Sequence, residues 1–273
     1  MEVYRGGGTP DAWRKQASLW EALGLDAWLR PAEARPDGQP FIISLAGAGG
    51  KTSFIRRLAY EGMERGLRVL VVTTTHMFVP ASCGVHGQWA EQTGRMLDKE
   101  SLAVAGVLSG QGKIAFVGQE AYDAICPLAD LVLVEADGSR RLPLKVPGPG
   151  EPVIPAHCRM IICLEGMSAL WKPGDRVCFR LPQAMEQLSG LQDGEPRVVS
   201  GWRVSPADMA CLMKAGYLDP LRRRFPDSAV IPVLNQADSM PLVRTAFQIL
   251  EDMGEADGLV SGGFPADLSA GLF

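Results

Sequence analysis

The chain predicts a three-layer α/β fold with a mostly parallel central sheet and a helical N-terminal extension. Apolar runs of strand length begin near Phe41, Arg68, Leu131 and Val230, with helix-length segments between them. That alternation indicates parallel strands joined by crossovers. The runs do not alternate with polar residues, as strands covered on both faces do not. Three of them end in polar residues capable of chemistry, and an open α/β sheet binds ligands at the C-terminal edge of its strands.

Composition admits such a core. Of the 273 residues, 47% are hydrophobic and 21% charged, with a net charge of −4. This suffices for one large α/β domain or two small ones, and the acidic balance argues against nucleic acid as a partner. The six cysteines include no C-x-x-C pair, the usage of reduced thiols in a cytoplasmic protein. No apolar run approaches the roughly 18 residues that cross a membrane, and no signal-peptide pattern opens the chain. Oligomeric state is not written in these totals.

Residues 1–40 form the expected extension. A Gly6-Gly7-Gly8 tip leads to a helical run over 11–29 with Trp13, Leu19, Trp20, Leu23 and Trp28 as anchors, closed by a proline-rich connector over 31–40. It is expected to pack on the main domain, 41–273, although three Trp also suit a partner-binding helix.

The main domain opens on Phe41-Ile42-Ile43-Ser44-Leu45-Ala46-Gly47-Ala48-Gly49-Gly50-Lys51-Thr52-Ser53, a strand running into a glycine turn and then a helix over 54–65. Glycine accepts positive φ cheaply, so successive N–H groups can converge on one anion, and the helix N-terminus adds its free N–H groups and partial positive charge. Lys51 then reaches the β- and γ-phosphates, and Thr52 holds Mg²⁺. Gly47 to Ser53 is therefore a phosphate-binding loop, with Leu45 where the longer pattern has Gly. The short G-x-x-G-K-T form also occurs in ATP-dependent amide ligases.

A second strand is expected over 68–76, ending Thr73-Thr74-Thr75-His76, with Thr73 and Thr75 on one side and Thr74 on the other. Thr75 or His76 could meet the metal or the terminal phosphate. Residues 77–112 read as loop and short helix. Cys83 and His86 offer two metal-ligand types there, short of the four that a tetrahedral site needs. A strand over 113–118 and a helix over 119–128 lead to the next motif.

Leu131-Val132-Leu133-Val134-Glu135-Ala136-Asp137-Gly138 ends a strand in two carboxylates and a glycine. Hard cations take oxygen ligands, so Glu135 or Asp137 joins Thr52 on Mg²⁺ or orients water, and the Gly138 amide contacts the γ-phosphate. The loop over 139–147 then reads as a mobile switch whose Arg140, Arg141 or Lys145 neutralises the transferring phosphate. A strand over 159–164 follows, 166–187 carries little signal, and Ser205-Pro206-Ala207-Asp208 caps a helical segment over 198–217. Arg222-Arg223-Arg224 is the cationic end of a surface helix.

Val230-Ile231-Pro232-Val233-Leu234-Asn235-Gln236-Ala237-Asp238 places N-x-x-D after an apolar strand, and Asn235 is the chain's sole asparagine. The Asp238 carboxylate would accept two N–H bonds from a guanine edge, a pair that adenine lacks. Gln236 stands where Lys is usual in this guanine-reading pattern. A helix over 241–253 and a strand over 258–261 close the alternation, and Ser261-Gly262-Gly263 could touch the base.

These motifs, in this order with Glu in the middle one, resemble the metallochaperone branch of P-loop GTPases. More closely, Gly47–Thr52, Thr73–Met77, Val134–Lys145, Glu151-Pro152-Val153-Ile154-Pro155 and Leu234–Asp238 resemble the YqeC family, whose members are described as accessory proteins of selenium-dependent hydroxylases. Trp171-Lys172-Pro173 stands where that family more often has Gly-Lys-Pro. The resemblance implies an accessory role in maturing selenium-dependent molybdenum hydroxylases, with a client hydroxylase or its cofactor as partner.

The combined expectation is a P-loop NTPase fold that binds Mg²⁺ and a nucleoside triphosphate, GTP favoured over ATP, and hydrolyses it slowly. Lys51 and the glycine amides hold phosphates; Glu135, Asp137 and Arg141 serve the chemistry with Lys51; Thr52, Thr75, Glu135 and Asp137 are the candidate metal-site residues; and Asn235 and Asp238 read the base. The rival is an ATP-dependent small-molecule transferase or ligase, with a second pocket near Thr75, His76 and Arg141.

Overall fold

The computed structural model describes residues 2–8, 12–29, 39–189, 201–255 and 257–263. A ten-stranded sheet organises it. In chain order its strands are β1 (Val3–Arg5), β2 (Arg14–Gln16), β3 (Phe41–Gly47) and β4 (Val69–Thr73). Outside that sheet lies β5 (His76–Phe78); then come β6 (Gly84–Val85) and β7 (Leu102–Ala105) within it. Two more lie outside, β8 (Val107–Leu108) and β9 (Lys113–Ala115), before β10 (Leu131–Glu135) returns to it. After β11 (Leu144–Lys145) come β12 (Met160–Gly166), β13 (Cys178–Phe179), β14 (Ala229–Asn235) and β15 (Leu259–Ser261).

The spatial order is β2-β1-β15-β14-β12-β3-β10-β4-β7-β6. From β15 to β6 every pairing is parallel, and β1 and β2 add antiparallel at one edge. The loop-bearing strand β3 is thus central, between β10 and β12.

Side chains alternate across the sheet with the two-residue strand period. Ile43 and Leu45 face a cluster with Phe54, Ile55 and Leu58, whereas Ile42 and Ala46 face another with Leu97, Leu212 and Ile249. The first face carries α1 (Leu19–Leu23), α2 (Leu25–Trp28) and α3 (Lys51–Met63). The second carries α4 (Trp89–Glu100), α5 (Gln119–Ile125), α7 (Leu181–Ser189), α8 (Pro206–Met213), α9 (Asp219–Arg224) and α10 (Met240–Asp252), with the short α6 (Gly174–Val177) beside the 167–179 segment. Three layers result. On β12, Glu165 is fully buried, and neither of its carboxyl oxygens has a hydrogen-bond partner among the described residues.

Several elements depart from the sequence reading. The expected 11–29 helix is broken: Arg14–Gln16 is a strand, and Gly24 at φ 64° separates two short helices. Residue 11 and most of the proline-rich connector, 31–38, lie outside the described residues. Trp13 stacks on Phe247 at 4.3 Å between centroids and bonds Glu251, while Trp20 is buried and bonds Asp26. Both are therefore used within the fold, not kept for a partner.

The strand expected over 68–76 stops at Thr73. The Thr73 hydroxyl accepts the Thr75 N–H at 3.1 Å, a local bend that competes with strand continuation, and His76 begins a strand of a separate three-stranded sheet, β5-β9-β8. Thr74 and Thr75 accordingly do not alternate sides; both line one cleft. Within 77–112, where loop and a short helix are expected, the helix is the twelve-residue α4, and the sheet strand β7 is unforeseen. Ser205 caps α8 with Pro206 at its first position, as expected, and the Asp208 side chain returns a bond to the cap backbone in a reciprocal capping box. Residues 198–200 of that segment lie outside the described set.

Candidate functional site

The phosphate loop is built by backbone that only glycine tolerates easily. Gly47, Gly49 and Gly50 have φ of 94°, 75° and 112°, and a Cβ on Gly47 or Gly49 would strike the β12 backbone at Leu164 or Gly166. The Ala48 N–H bonds the Leu164 carbonyl at 2.8 Å, seating the loop on its neighbouring strand. No side chain caps the start of α3, so the N–H groups of its first turn remain for a ligand.

Beneath the loop lies a buried ionic chain. Asp137, fully buried, accepts the Gly47 N–H at 3.0 Å, the Tyr217 hydroxyl at 3.2 Å, and ion pairs from Lys51 at 3.1 Å and Lys145 at 2.8 Å. Lys145 continues to Glu151 at 2.7 Å, and Arg180 clamps Glu151 with both terminal nitrogens. Burial alone would push Glu151 up, but the Arg180 and Lys145 bonds outweigh it and hold the carboxyl at about 2. Lys51 also donates to the Gly47 carbonyl at 2.6 Å.

Two sequence expectations are corrected here. Asp137, ringed by two ammonium groups, is a support under the loop and not an accessible metal ligand. Lys145 is fully buried on β11, which pairs with β13, so it is no mobile cation of a switch loop.

Above the loop, the Thr52 hydroxyl donates to Glu135 at 2.9 Å. These two oxygens border a cleft of about 1060 Å³, together with Lys51, Thr75, Gly138 and Arg141. Burial pushes the Glu135 carboxyl up, against the pull of the Lys51 ammonium and the Thr52 hydrogen bond. Arg140 and Arg141 line the cleft with left-handed backbone, at φ 52° and 64°.

The third strand end joins the same rim. The Asn235 side-chain amide donates to the Gly49 carbonyl at 2.7 Å, and its oxygen accepts the Ser261 hydroxyl at 2.8 Å. Asn235 is buried, so it clamps the loop to β15. Asp238 is exposed and borders a separate cavity of about 360 Å³ with Ser53, Ser168, Gln236 and Gly263; the Gly263 N–H donates to its carboxylate. Gln236, at φ 61°, accepts a 2.6 Å bond from Ser168.

Sequence reasoning missed Ser168, Phe78, Lys113, Phe179 and Arg180, all at these cavities, because none belongs to a spaced motif. His86 is turned to the Gly106 carbonyl at 2.9 Å, and among the described residues no cluster of three His, Cys, Asp or Glu could hold a metal.

A parallel sheet whose central strand feeds a glycine loop and a Lys-Thr helix start defines a P-loop-type α/β protein. Within that class the chain belongs to the YqeC family: the family pattern described as "YqeC protein" matches residues 43–182. A protein of Escherichia coli (strain K12) described as "Uncharacterized protein YqeC" is 40% identical over 177 residues, 56% of this chain and 66%, just under two thirds, of that relative. Among solved structures, the signal recognition particle 54 kDa protein from Aeropyrum pernix K1, in complex with GDP, is similar with a TM-score of 0.39 and 16% identity, covering 89% of this chain and 46% of that one. No helix among the described residues is long and apolar enough to cross a membrane.

Proposed function

We propose that this chain binds a nucleoside triphosphate with Mg²⁺, GTP in preference to ATP, and hydrolyses it slowly in the cytoplasm. One observation carries the reading: three motifs distant in sequence meet at one rim, through Gly47 with Asp137, Thr52 with Glu135, and Gly49 with Asn235. In this reading the glycine amides and Lys51 take the phosphates. Thr52 and Glu135 suit Mg²⁺, a hard cation that completes its shell with water and phosphate oxygens; when bound it neutralises phosphate charge. Thr75, at the cleft wall, stands ready for a water in that shell. Asp238 reads the base, and Asn235 holds the loop in register with it.

Asp238→Ala is the test. A hydrogen bond to a charged group contributes about 1.5–3 kcal/mol, so losing the guanine contacts should weaken GTP roughly ten- to a thousand-fold and leave ATP unchanged, by calorimetric titration. Equal GTP and ATP affinities in both proteins would overturn the guanine preference. The accessory role toward selenium-dependent molybdenum hydroxylases follows from the family resemblance. It predicts that cells lacking this chain lose that hydroxylase activity while still making the polypeptide; undiminished activity rejects it.

A second reading, phosphoryl or ligase chemistry on a small molecule, is favoured by the size and charge of the cleft beside Lys51 and Thr52.

A further inference from the structure

We propose that the part of this cleft lined by Phe78, Lys113, Arg140, Arg141 and Phe179 is the binding site of a second small molecule, a phosphate monoester carrying a flat ring. The proposal rests on the reading that Lys51 and Thr52 receive terminal phosphates. Two cavities meet the start of α3, with Thr52 lining the larger and Ser53 the smaller. On that reading a nucleotide with its base against Asp238 would sit in the smaller one and present its terminal phosphate at the Lys51–Thr52 wall of the larger. The same cleft is also lined by Phe78, Lys113, Phe116, Arg140, Arg141 and Phe179, none of which borders the smaller cavity. At about 1060 Å³ the cleft is at the top of the range for small-molecule sites.

Its charge is unbalanced. Five cations, Lys51, Lys113, Arg140, Arg141 and Arg180, line it against two carboxylates, Glu135 and Glu151. Both carboxylates are engaged, Glu135 by Thr52 and Glu151 by Lys145 and Arg180. Among the described residues Lys113, Arg140 and Arg141 have no carboxylate partner; they lie over rings, Arg141 on Phe78 at 4.6 Å, Arg140 on Phe179 at 4.8 Å and Lys113 on Phe78 at 5.9 Å. Three uncompensated cations suit a group of nearly two negative charges. A phosphate monoester carries about −1.5 to −2 at neutral pH, a carboxylate only one, and guanidinium forks match phosphate oxygens. Phe78 is 49% exposed and lines the cleft with Phe116 and Phe179, apolar ring surface that suits a flat ring. Arg140, Arg141 and Arg180 all hold left-handed backbone, at φ 52°, 64° and 66°, and non-glycine residues adopt it mostly where the surroundings impose it.

Calorimetric titration of phenyl phosphate into the full chain, saturated with Mg²⁺ and β,γ-imido-GTP, tests this. Phenyl phosphate should bind without displacing nucleotide, at least tenfold more tightly than benzoate or inorganic phosphate. The double variant Lys113→Ala/Phe78→Leu should lose tenfold or more of that affinity while its nucleotide affinity stays. Displacement of the nucleotide, unchanged phenyl phosphate binding in the variant, or no binding to the parent chain would each overturn the proposal. Nucleotide affinity is recorded in the same samples, so its failure is seen separately; phenyl phosphate titrated into the nucleotide-free chain then decides the cleft by the same variant.

Discussion

Glu151 and Glu165 titrate in opposite senses, and the pH dependence of stability should show both. Glu151 is held at about 2 in the fold against an ordinary value near 4.5. Its contribution is fully present above pH 4.5 and is lost as pH falls toward 2, because the unfolded chain takes up the proton first. After discounting for its partial exposure this amounts to about 1–2 kcal/mol. Burial pushes Glu165 well above 4.5, so the folded chain keeps a proton that the unfolded chain releases, and stability declines as pH rises through 4.5. Urea unfolding of Glu151→Gln should flatten the acid limb, and that of Glu165→Gln the limb above pH 4.5. An unaltered acid limb in Glu151→Gln would show that the Arg180 and Lys145 clamp contributes nothing. Asp137 is the residue at which sequence reasoning went furthest astray. Its neighbour Glu135 and its place after a strand suggest a metal ligand, yet its partners Lys51 and Tyr217 are distant in the chain, and no local spacing announces them.

At the scale of elements, the turn between β3 and α3 is the most demanding piece of backbone. Gly49 and Gly66 share a φ of 75°, but a Cβ on Gly49 meets the Gly166 backbone whereas one on Gly66 meets open space. Gly66→Ala should therefore cost only the left-handed penalty of about 1–2 kcal/mol. Gly49→Ala should cost clearly more and weaken nucleotide binding, by denaturant unfolding and titration; equal costs would mean that the loop yields freely. That turn was legible in the sequence because backbone with positive φ writes glycine into it. The strands β3, β10 and β14 were legible because double burial demands unbroken apolar runs. By contrast, the extent of α4 was hidden because it buries little beyond Thr93 and Leu97, leaving a weak apolar stripe. The run of three threonines reads as strand by propensity, and only the Thr73 hydroxyl turning onto the Thr75 N–H ends it.

For the molecule as a whole, the sheet is continuous from the first described strands to the last. β1 lies on β15 and carries β2, whose Arg14 and Lys15 give the outer edge two charges that resist pairing with other chains. Removal of residues 1–38 would bare the Leu259–Ser261 edge and the surfaces under Trp13 and Trp20. The trimmed chain should unfold at lower urea and self-associate in sedimentation, and a monomer of unchanged stability would count against this account. The Gly262 N–H bonds the Glu2 carbonyl at 3.0 Å, a few atoms from the Ser261 hydroxyl that steadies Asn235. A purification handle fused ahead of Glu2 is thus an intruder at the rim that holds Asn235 and Asp238, and under the proposed function nucleotide affinities taken before and after its cleavage should differ.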